Sequence, residues 1–390
     1  MATAPAGDMA TADAATVGSD LKAPAPVFSF GAAGSPLTLT YANANGVSVG
    51  DFNGDGKTDL FIVDSSPIIS ANAGYLDALS GNGDGSFAYV ANHGFSGPGG
   101  ITFTAADVNR DGKTDGVYYY VLSSYNPKTH VTTYTPIFGF ATSNGDGTFT
   151  SGGFTPAPSN FGSGIYVVDL NNDHAVEVLT VSQDSSANRT GFSVFLNNGS
   201  NGMARSDYLA PTYPVPASGL VAQDLTGDGK ADVFYAAQNQ GVLVVGNGDG
   251  TMATAPITLS TGLAANLSVA AADLNSDGRP DLIVGQDGNS VTVFLALAAG
   301  GFAAANTYAS QGSAYYVAAA DFNGDGLNDI VTCDRNNLTF LLNEGNGFGA
   351  PKQIAQSCGP IAVGDFNGDK LPDLALRAGG GVVVMLNTTH

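Results

Sequence analysis

Short apolar runs, rich in β-branched and aromatic residues, alternate along the chain with stretches of Gly, Asn, Asp and Ser, and the same order of runs keeps returning. A small-residue run such as SVAAAD or YVAAAD precedes an acidic stretch. A run such as DLIVG, DIVTC or DLALR follows it, and a second run such as VTVFLAL or LTFLLN leads into a Gly-rich turn. Runs this short, bounded by turn residues, predict strands and not helices. The turns at Asn82–Phe87 (NGDGSF), Asn144–Phe149 (NGDGTF), Asn247–Met252 (NGDGTM) and Glu344–Phe348 (EGNGF) carry the Asn-Gly and Asp-Gly pairs of tight hairpins. Each unit thus reads as four antiparallel strands, a to d, with the acidic stretch joining a to b and the Gly-rich turn joining c to d.

The acidic stretch is a nine-residue motif that begins at Asp51 (DFNGDGKTD), Asp107 (DVNRDGKTD), Asp169 (DLNNDHAVE), Asp224 (DLTGDGKAD), Asp273 (DLNSDGRPD), Asp321 (DFNGDGLND) and Asp365 (DFNGDKLPD). Successive starts lie 56, 62, 55, 49, 48 and 44 residues apart, a drifting period that fits propeller blades with loops of unequal length. Seven four-stranded units predict an all-β, seven-bladed β-propeller, which hides its sheet edges by setting blades round an axis. The Ala and Gly of strand a suit the crowded centre. The last unit ends in strand c (VVVMLNTTH), whereas Phe28–Thr40 (FSFGAAGSPLTLT) resembles the d strand Phe348–Ile354 (FGAPKQI). The N-terminal segment is therefore expected to complete blade seven and close the ring. Residues 26–390 then form one propeller, and residues 1–25, rich in Ala, Thr, Asp and Pro, read as a disordered leader.

Charge changes the picture next. The formal net charge is -21, and the seven motifs, with three acids each, hold 21 of the 34 Asp and Glu; the other 13 are balanced by 13 Lys and Arg. All the excess charge therefore sits in the motifs, where close carboxylates repel one another unless a cation joins them. No run of Lys or Arg offers nucleic acid a basic face, so a nucleic-acid partner is excluded. No apolar stretch approaches the ~18 residues of a membrane span, and membrane insertion is not expected. No positively charged start followed by an apolar core marks a signal peptide.

Calcium takes about six to eight hard oxygen ligands. Side chains at motif positions 1, 3, 5 and 9 and the carbonyl at position 7 supply such a set, while Gly at position 6 permits a left-handed turn. The candidate ligands are Asp51, Asn53, Asp55 and Asp59; Asp107, Asn109, Asp111 and Asp115; Asp169, Asn171, Asp173 and Glu177; and Asp224, Thr226, Asp228 and Asp232. Asp273, Asn275, Asp277 and Asp281, then Asp321, Asn323, Asp325 and Asp329, then Asp365, Asn367, Asp369 and Asp373 complete them, for up to seven Ca2+ ions. A helix-loop-helix site is a poor alternative, because it closes with Glu at position 12 and runs into a helix. Motif three (His174 at position 6, Glu177 at position 9), motif four (Thr226 at position 3) and motif seven (Lys370 at position 6) are expected to bind most weakly. The NGDG turns lack the closing acid and read as plain turns.

The stretches VAAADFNGDGLNDIVT and FLLNEGNGFGAPKQI are similar to FG-GAP or VCBS repeats, the family that includes the propeller of integrin α-subunits. The resemblance runs from about residue 28 to 390. It implies an extracellular, calcium-stabilised propeller, secreted or on a cell surface, with ligand binding usually on the face opposite the calcium loops.

On that opposite face the sequence places the b–c and d–a loops. A Tyr-rich stretch, Tyr118–Thr135, reads as a long b–c insertion of blade two, and Tyr118, Tyr120, Tyr134, His93, Tyr316, Asp334 and Arg335 are the candidate ligand-binding residues. Aromatic platforms with polar groups around a concave centre suit a sugar or a protein loop. Cys333 and Cys358 both fall on this face, where a disulfide clamping the last two blades would fit an extracellular location. The expected function is a lectin-like or adhesive binding module for a carbohydrate or an extracellular protein. A lyase-like enzyme using His93 and His130 is one alternative, although the chain holds no Gly-x-Ser-x-Gly elbow and no His-Glu-x-x-His. A structural spacer is the other.

Overall fold

The computed structural model describes residues 27–31, 34, 37, 39, 44–65, 73–96, 102–126, 128, 130–156, 161–184, 189–197, 203–210, 219–237, 240–260 and 266–390. Among the described residues there are 27 strands and no helix. Blade one is β1 (Ala44–Gly50), β2 (Asp59–Ser65), β3 (Ala73–Gly81) and β4 (Phe87–Ser96); blade two is β5 (Thr102–Ala106), β6 (Asp115–Asn126), β7 (Val131–Ser143) and β8 (Phe149–Pro156). Blade three is β9 (Phe161–Val168), β10 (Glu177–Asp184), β11 (Arg189–Asn197) and β12 (Met203–Ala210); blade four is β13 (Gly219–Gln223), β14 (Asp232–Ala237), β15 (Gln240–Val244) and β16 (Ile257–Ser260). Blade five is β17 (Asn266–Ala272), β18 (Asp281–Gln286), β19 (Ser290–Phe294) and β20 (Asn306–Ala309); blade six is β21 (Tyr316–Ala320), β22 (Asp329–Cys333), β23 (Leu338–Leu341) and β24 (Lys352–Ile354). Blade seven holds β25 (Ile361–Gly364), β26 (Asp373–Ala378) and β27 (Gly381–Met385).

Within each blade consecutive strands pair in order and antiparallel, so the acidic motifs join a to b as their position in the repeat predicts. The a strands β1, β5, β9, β13, β17, β21 and β25 each touch the next, and β25 touches β1, closing the circle. Blade seven gains its fourth strand from the N-terminal segment. Val27 N–H donates to His390 O at 2.7 Å, Thr388 N–H to Ser29 O at 2.9 Å, Gly31 N–H to Leu386 O at 2.9 Å, Gly34 N–H to Val384 O at 3.0 Å and Leu37 N–H to Val382 O at 2.8 Å. Phe28 and Phe30 lock it down, their rings 4.9 and 5.1 Å from that of Phe340. The expected leader, residues 1–25, lies outside the described residues.

The core is a set of seven apolar layers, each between neighbouring blades. Phe52, Phe61, Val63, Leu76 and Ala78 of blade one meet Tyr118, Ile137 and Ala141 of blade two, and on the other side Leu60, Ile62 and Leu79 meet Phe366, Ala375 and Val382 of blade seven. Strands b and c are therefore covered on both faces: every residue of β18, β19, β22 and β23 is buried. That is why these strands read as continuous apolar runs and not as an alternation. The outer strands β16 and β20 are mostly exposed.

Blade two departs from expectation. The stretch Tyr118–Thr135 is not a loop insertion but a lengthening of the b–c hairpin, with β6 and β7 paired from Gly116 opposite Ala141 to Asn126 opposite Val131. Its Tyr, Val and Thr favour the pleated conformation, so the extra residues continue the strands. No helix among the described residues is long and apolar enough to cross a membrane.

Candidate metal loops and the opposite face

Blade six shows the loop geometry. Asp321 at position 1 accepts the amides of Gly324 (2.7 Å) and Asp325 (3.0 Å) on Oδ1 and that of Gly326 (2.8 Å) on Oδ2. Asn323 Oδ1 accepts Asp325 N–H at 2.9 Å and Asp325 Oδ1 accepts Leu327 N–H at 2.9 Å. The chain can wrap a carboxylate this tightly because positions 4 and 6 are both left-handed, with φ of 74° at Gly324 and 89° at Gly326. Position 6 was legible from its glycines, and position 4 was not. Three motifs place a side chain at position 4 at such a φ (Arg110 65°, Asn172 57°, Ser276 60°), and two do so at position 6 (His174 67°, Lys370 71°).

The acid at position 9 is fully buried in all seven blades. Asp329 Oδ2 accepts the amide of position 2, Phe322, at 3.0 Å, and Oδ1 accepts that of Asn343, beyond strand c, at 2.7 Å. Asp59 holds Phe52 and Gly81, Asp115 holds Val108 and Ser143, and Asp232 holds Leu225 and Gly246 in the same way. Asp281 holds Leu274 and Ala296, and Asp373 holds Phe366 and Asn387. The position-9 acid is thus a clasp between the a–b loop and the end of strand c. Glu177, one methylene longer, holds Leu170 N–H at 2.7 Å through Oε2, and the Asn197 amide also stabilises its carboxylate.

The carbonyl of position 2 points to the neighbouring blade. Phe52 O accepts the Ser143 hydroxyl, Leu170 O the Gly250 amide, Leu274 O the Asn343 side-chain amide, Phe322 O the Asn387 side-chain amide and Phe366 O the Gly85 amide. One residue of each such loop therefore ties its own blade through N–H and the next blade through C=O.

Burial raises the carboxyl of every position-9 acid: Asp59 is pushed up to about 6, Glu177 to about 7, Asp329 to about 7 and Asp373 to about 6. Asp115, Asp232 and Asp281 are raised from the same cause. In all but Asp232 the like charges at positions 1 and 5 add to the rise, and the accepted amides oppose it. Cations from the chain offset only part of this repulsion. Lys57, Lys113, Lys230 and Arg279 at position 7 approach the position-5 acid at 3.5, 2.6, 3.6 and 2.5 Å, and Arg110 reaches Asp173 of the next motif at 2.9 Å. Motifs six and seven carry Leu327 and Leu371 at position 7. Among the described residues no three acidic, His or Cys side chains converge into a ready-made metal cage; the carboxylates face their own amides instead.

On the opposite face the candidate residues separate. Tyr118 is not a surface platform: it is fully buried between blades one and two, its ring lying where a Cβ on Gly139 would fall 2.5 Å away. Tyr120 and Tyr134 stand on β6 and β7 opposite Ile137 and Ser123, and His93 stands on β4 opposite Leu76. The side chains of these three lie outside the described residues. His130 is at the tip of the β6–β7 hairpin. Asp334 builds the turn from β22 to β23, its Oδ1 accepting the amides of Asn336 (2.8 Å) and Asn337 (2.6 Å).

Tyr316 and Arg335, by contrast, meet in a cavity of about 260 Å³ with Ser357, Cys358, Gly359, Arg377, Gly379 and Gly380, between blades six and seven. Cys333 and Cys358 are joined by a disulfide that spans the same two blades. A second cavity, about 340 Å³, opens where the a strands begin, lined by Asn45, Val47, Phe103, Ile165 and Tyr166 among others.

Residues 224–284, 273–332 and 321–376 match the FG-GAP-like repeat, each match starting at an acidic motif and running through the next. No curated protein sequence matches the chain significantly. Among solved structures, a lectin from Agrocybe aegerita, described for its recognition of non-reducing terminal N-acetylglucosamine, superposes with a TM-score of 0.54 at 18% identity, covering 79% of each chain. BBS1N, solved in complex with ARL6DN, superposes with a TM-score of 0.56 at 9% identity over 92% of this chain and 96% of that one; a second crystal of the same complex gives 0.55 at 11% over 93% and 96%. Identities this low speak for the shared fold alone. The chain is thus a seven-bladed β-propeller in which residues 224–376 match three consecutive FG-GAP-like repeats.

Proposed function

We propose that this propeller is a calcium-stabilised binding module, secreted or displayed on a cell surface, that takes a carbohydrate or a protein ligand on the face opposite the acidic loops. The donor set fits calcium. Each motif supplies hard oxygens at positions 1, 3, 5 and 9, and a carboxylate oxygen that already accepts one amide keeps a lone pair for a cation. Burial raises the position-9 carboxyls most, and the like charges at positions 1 and 5 add to the rise, a repulsion that a divalent ion relieves. Asp321, Asn323, Asp325 and Asp329 would hold the ion in blade six, where no position-7 cation competes.

The observation that carries the binding half is the pair of cavities on the opposite face, with aromatic, amide and guanidinium groups at their walls. The structural neighbours lend support from two sides, one being a sugar-binding lectin and the other a propeller held in a protein complex. A glycan array probed with the calcium-loaded chain, read beside thermal melts in calcium and in chelator, tests both halves. Calcium is expected to raise the melting temperature, and at least one glycan class to be retained. Identical melts in calcium and chelator sink the metal half, and an array and a pull-down that are both blank sink the binding half.

A further inference from the structure

The chain has 13 Lys and Arg and spends five of them on its acidic loops. Lys57, Arg110, Lys113, Lys230 and Arg279 all sit within 3.6 Å of a motif carboxylate. Arg335 and Arg377 do not: among the described residues neither pairs with an acid, and both line the cavity between blades six and seven. In a molecule of net charge -21, two guanidinium groups facing one cavity without a carboxylate make a local positive site.

The cavity is built to hold them there. Arg335 occupies the first central position of the two-residue turn between β22 and β23, with φ of 80°, where glycine is the usual residue. Its guanidinium carbon lies 4.0 Å over the ring of Tyr315, and among the described residues its side chain makes no ion pair. The Arg335 carbonyl accepts the amide of Cys358 at 3.1 Å, so the disulfide loop braces the turn. Across the cavity the Arg377 stem packs on Gly359, where a Cβ would come within 3.2 Å of it, and its Nε–H donates to Ala44 O. Among the described residues the Nη groups of Arg377 have no hydrogen-bond partner. Gly359, Gly379 and Gly380 keep the wall clear, and Tyr316 offers an aromatic surface.

We propose that this cavity binds the carboxylate of an acidic sugar, gripped between Arg335 and Arg377 with the sugar ring against Tyr316. Planar guanidinium forks match a carboxylate in two-pronged fashion, and about 260 Å³ suits a single sugar unit and not an oligosaccharide. The assignment rests on the reading of the molecule as a binding module and names the ligand chemistry of that face.

Calorimetric titration of the whole calcium-loaded chain with glucuronate, N-acetylneuraminate, N-acetylglucosamine and inorganic sulfate tests it, together with the variants Arg335→Gly and Arg377→Lys. Glycine is at ease at φ 80°, so Arg335→Gly should melt at the parental temperature or above while losing about ten-fold or more in affinity for the acidic sugars, the scale of one charged hydrogen-bonded contact. Arg377→Lys keeps the charge but loses the fork, and should weaken the same sugars. Unchanged affinity in both variants overturns the site. Sulfate bound as tightly as the sugar acids overturns the sugar assignment. Binding of N-acetylglucosamine alone, insensitive to both variants, overturns this inference and leaves the binding-module reading standing; silence with every sugar here and on the array removes both.

Discussion

Replacing Asp329 by Ala separates the two roles that the position-9 acid plays. Its carboxylate accepts Phe322 N–H at 3.0 Å and Asn343 N–H at 2.7 Å, and both donor residues are buried. Each buried donor left without an acceptor costs about 1–3 kcal/mol, so two orphaned amides cost roughly 2–6 kcal/mol. That loss needs no metal. The charge works in the other direction: burial and the neighbouring Asp325 and Asp321 push the Asp329 carboxyl to about 7, so above that pH alanine also relieves a strained charge. The full loss is therefore expected near pH 5.5 in chelator, a smaller one at pH 8 in chelator, and the largest in calcium, where a ligand goes as well. Asp325→Ala is the control, since Asp325 is exposed and serves only its own loop, accepting Leu327 N–H at 2.9 Å and Asn323 Nδ2–H at 3.0 Å. It should cost no more than about 1 kcal/mol in chelator. Guanidinium denaturation of the three proteins gives the numbers. If Asp329→Ala unfolds with the parent at pH 5.5 in chelator, or Asp325→Ala loses as much, the clasp is refuted.

Three further outcomes are expected. In chelator, stability should fall as pH rises from about 4 to 7, because Asp59, Glu177, Asp329 and Asp373 keep their protons in the folded chain to about 6, 7, 7 and 6 but give them up near 4 when unfolded; melts that rise over that window contradict it, and calcium should abolish the fall. Deleting residues 1–40 removes the outer strand of blade seven with the half-buried Phe28 and Phe30, at about 1–2 kcal/mol per ring plus the backbone bonds, and should broaden and lower the melt; an unchanged melt denies that the segment closes the ring. Substituting both Cys333 and Cys358 by Ser removes a cross-link over 25 residues and should cost about 3.5 kcal/mol by loop entropy, read by denaturation with and without reductant.

The repeat was legible because its physics is local. Nine residues with fixed acids, flanked by short β-branched runs, specify a turn between two strands wherever they occur, and seven copies specify a ring. What escaped was whatever depends on the neighbouring blade. Tyr118 reads as one of a row of exposed tyrosines, yet blade one covers it, and only the packing of Phe52 and Phe61 across the interface says so. The acid at position 9 reads as one more metal ligand, while its bonds to Asn343 or Gly81 reach past strand c, where no sequence signal marks the partner. Left-handed position 4 is hidden because Arg110 and Ser276 take it without glycine. Arg335 was visible as a polar residue after strand b, but Arg377 was not, since the two come together only across the junction of blades six and seven.

Open arrays of repeats come apart from their free ends, where the outermost unit has one neighbour instead of two. Pairing Val27–Leu37 with β27 and the residues after it removes those ends and brings the first and last described stretches of the chain into one seam. Fraying then has a single place to begin, and the disulfide between blades six and seven lies just beside it. A protease or a pulling force would have to work at that seam first, so the durability of the whole ring is set there and not by the average blade.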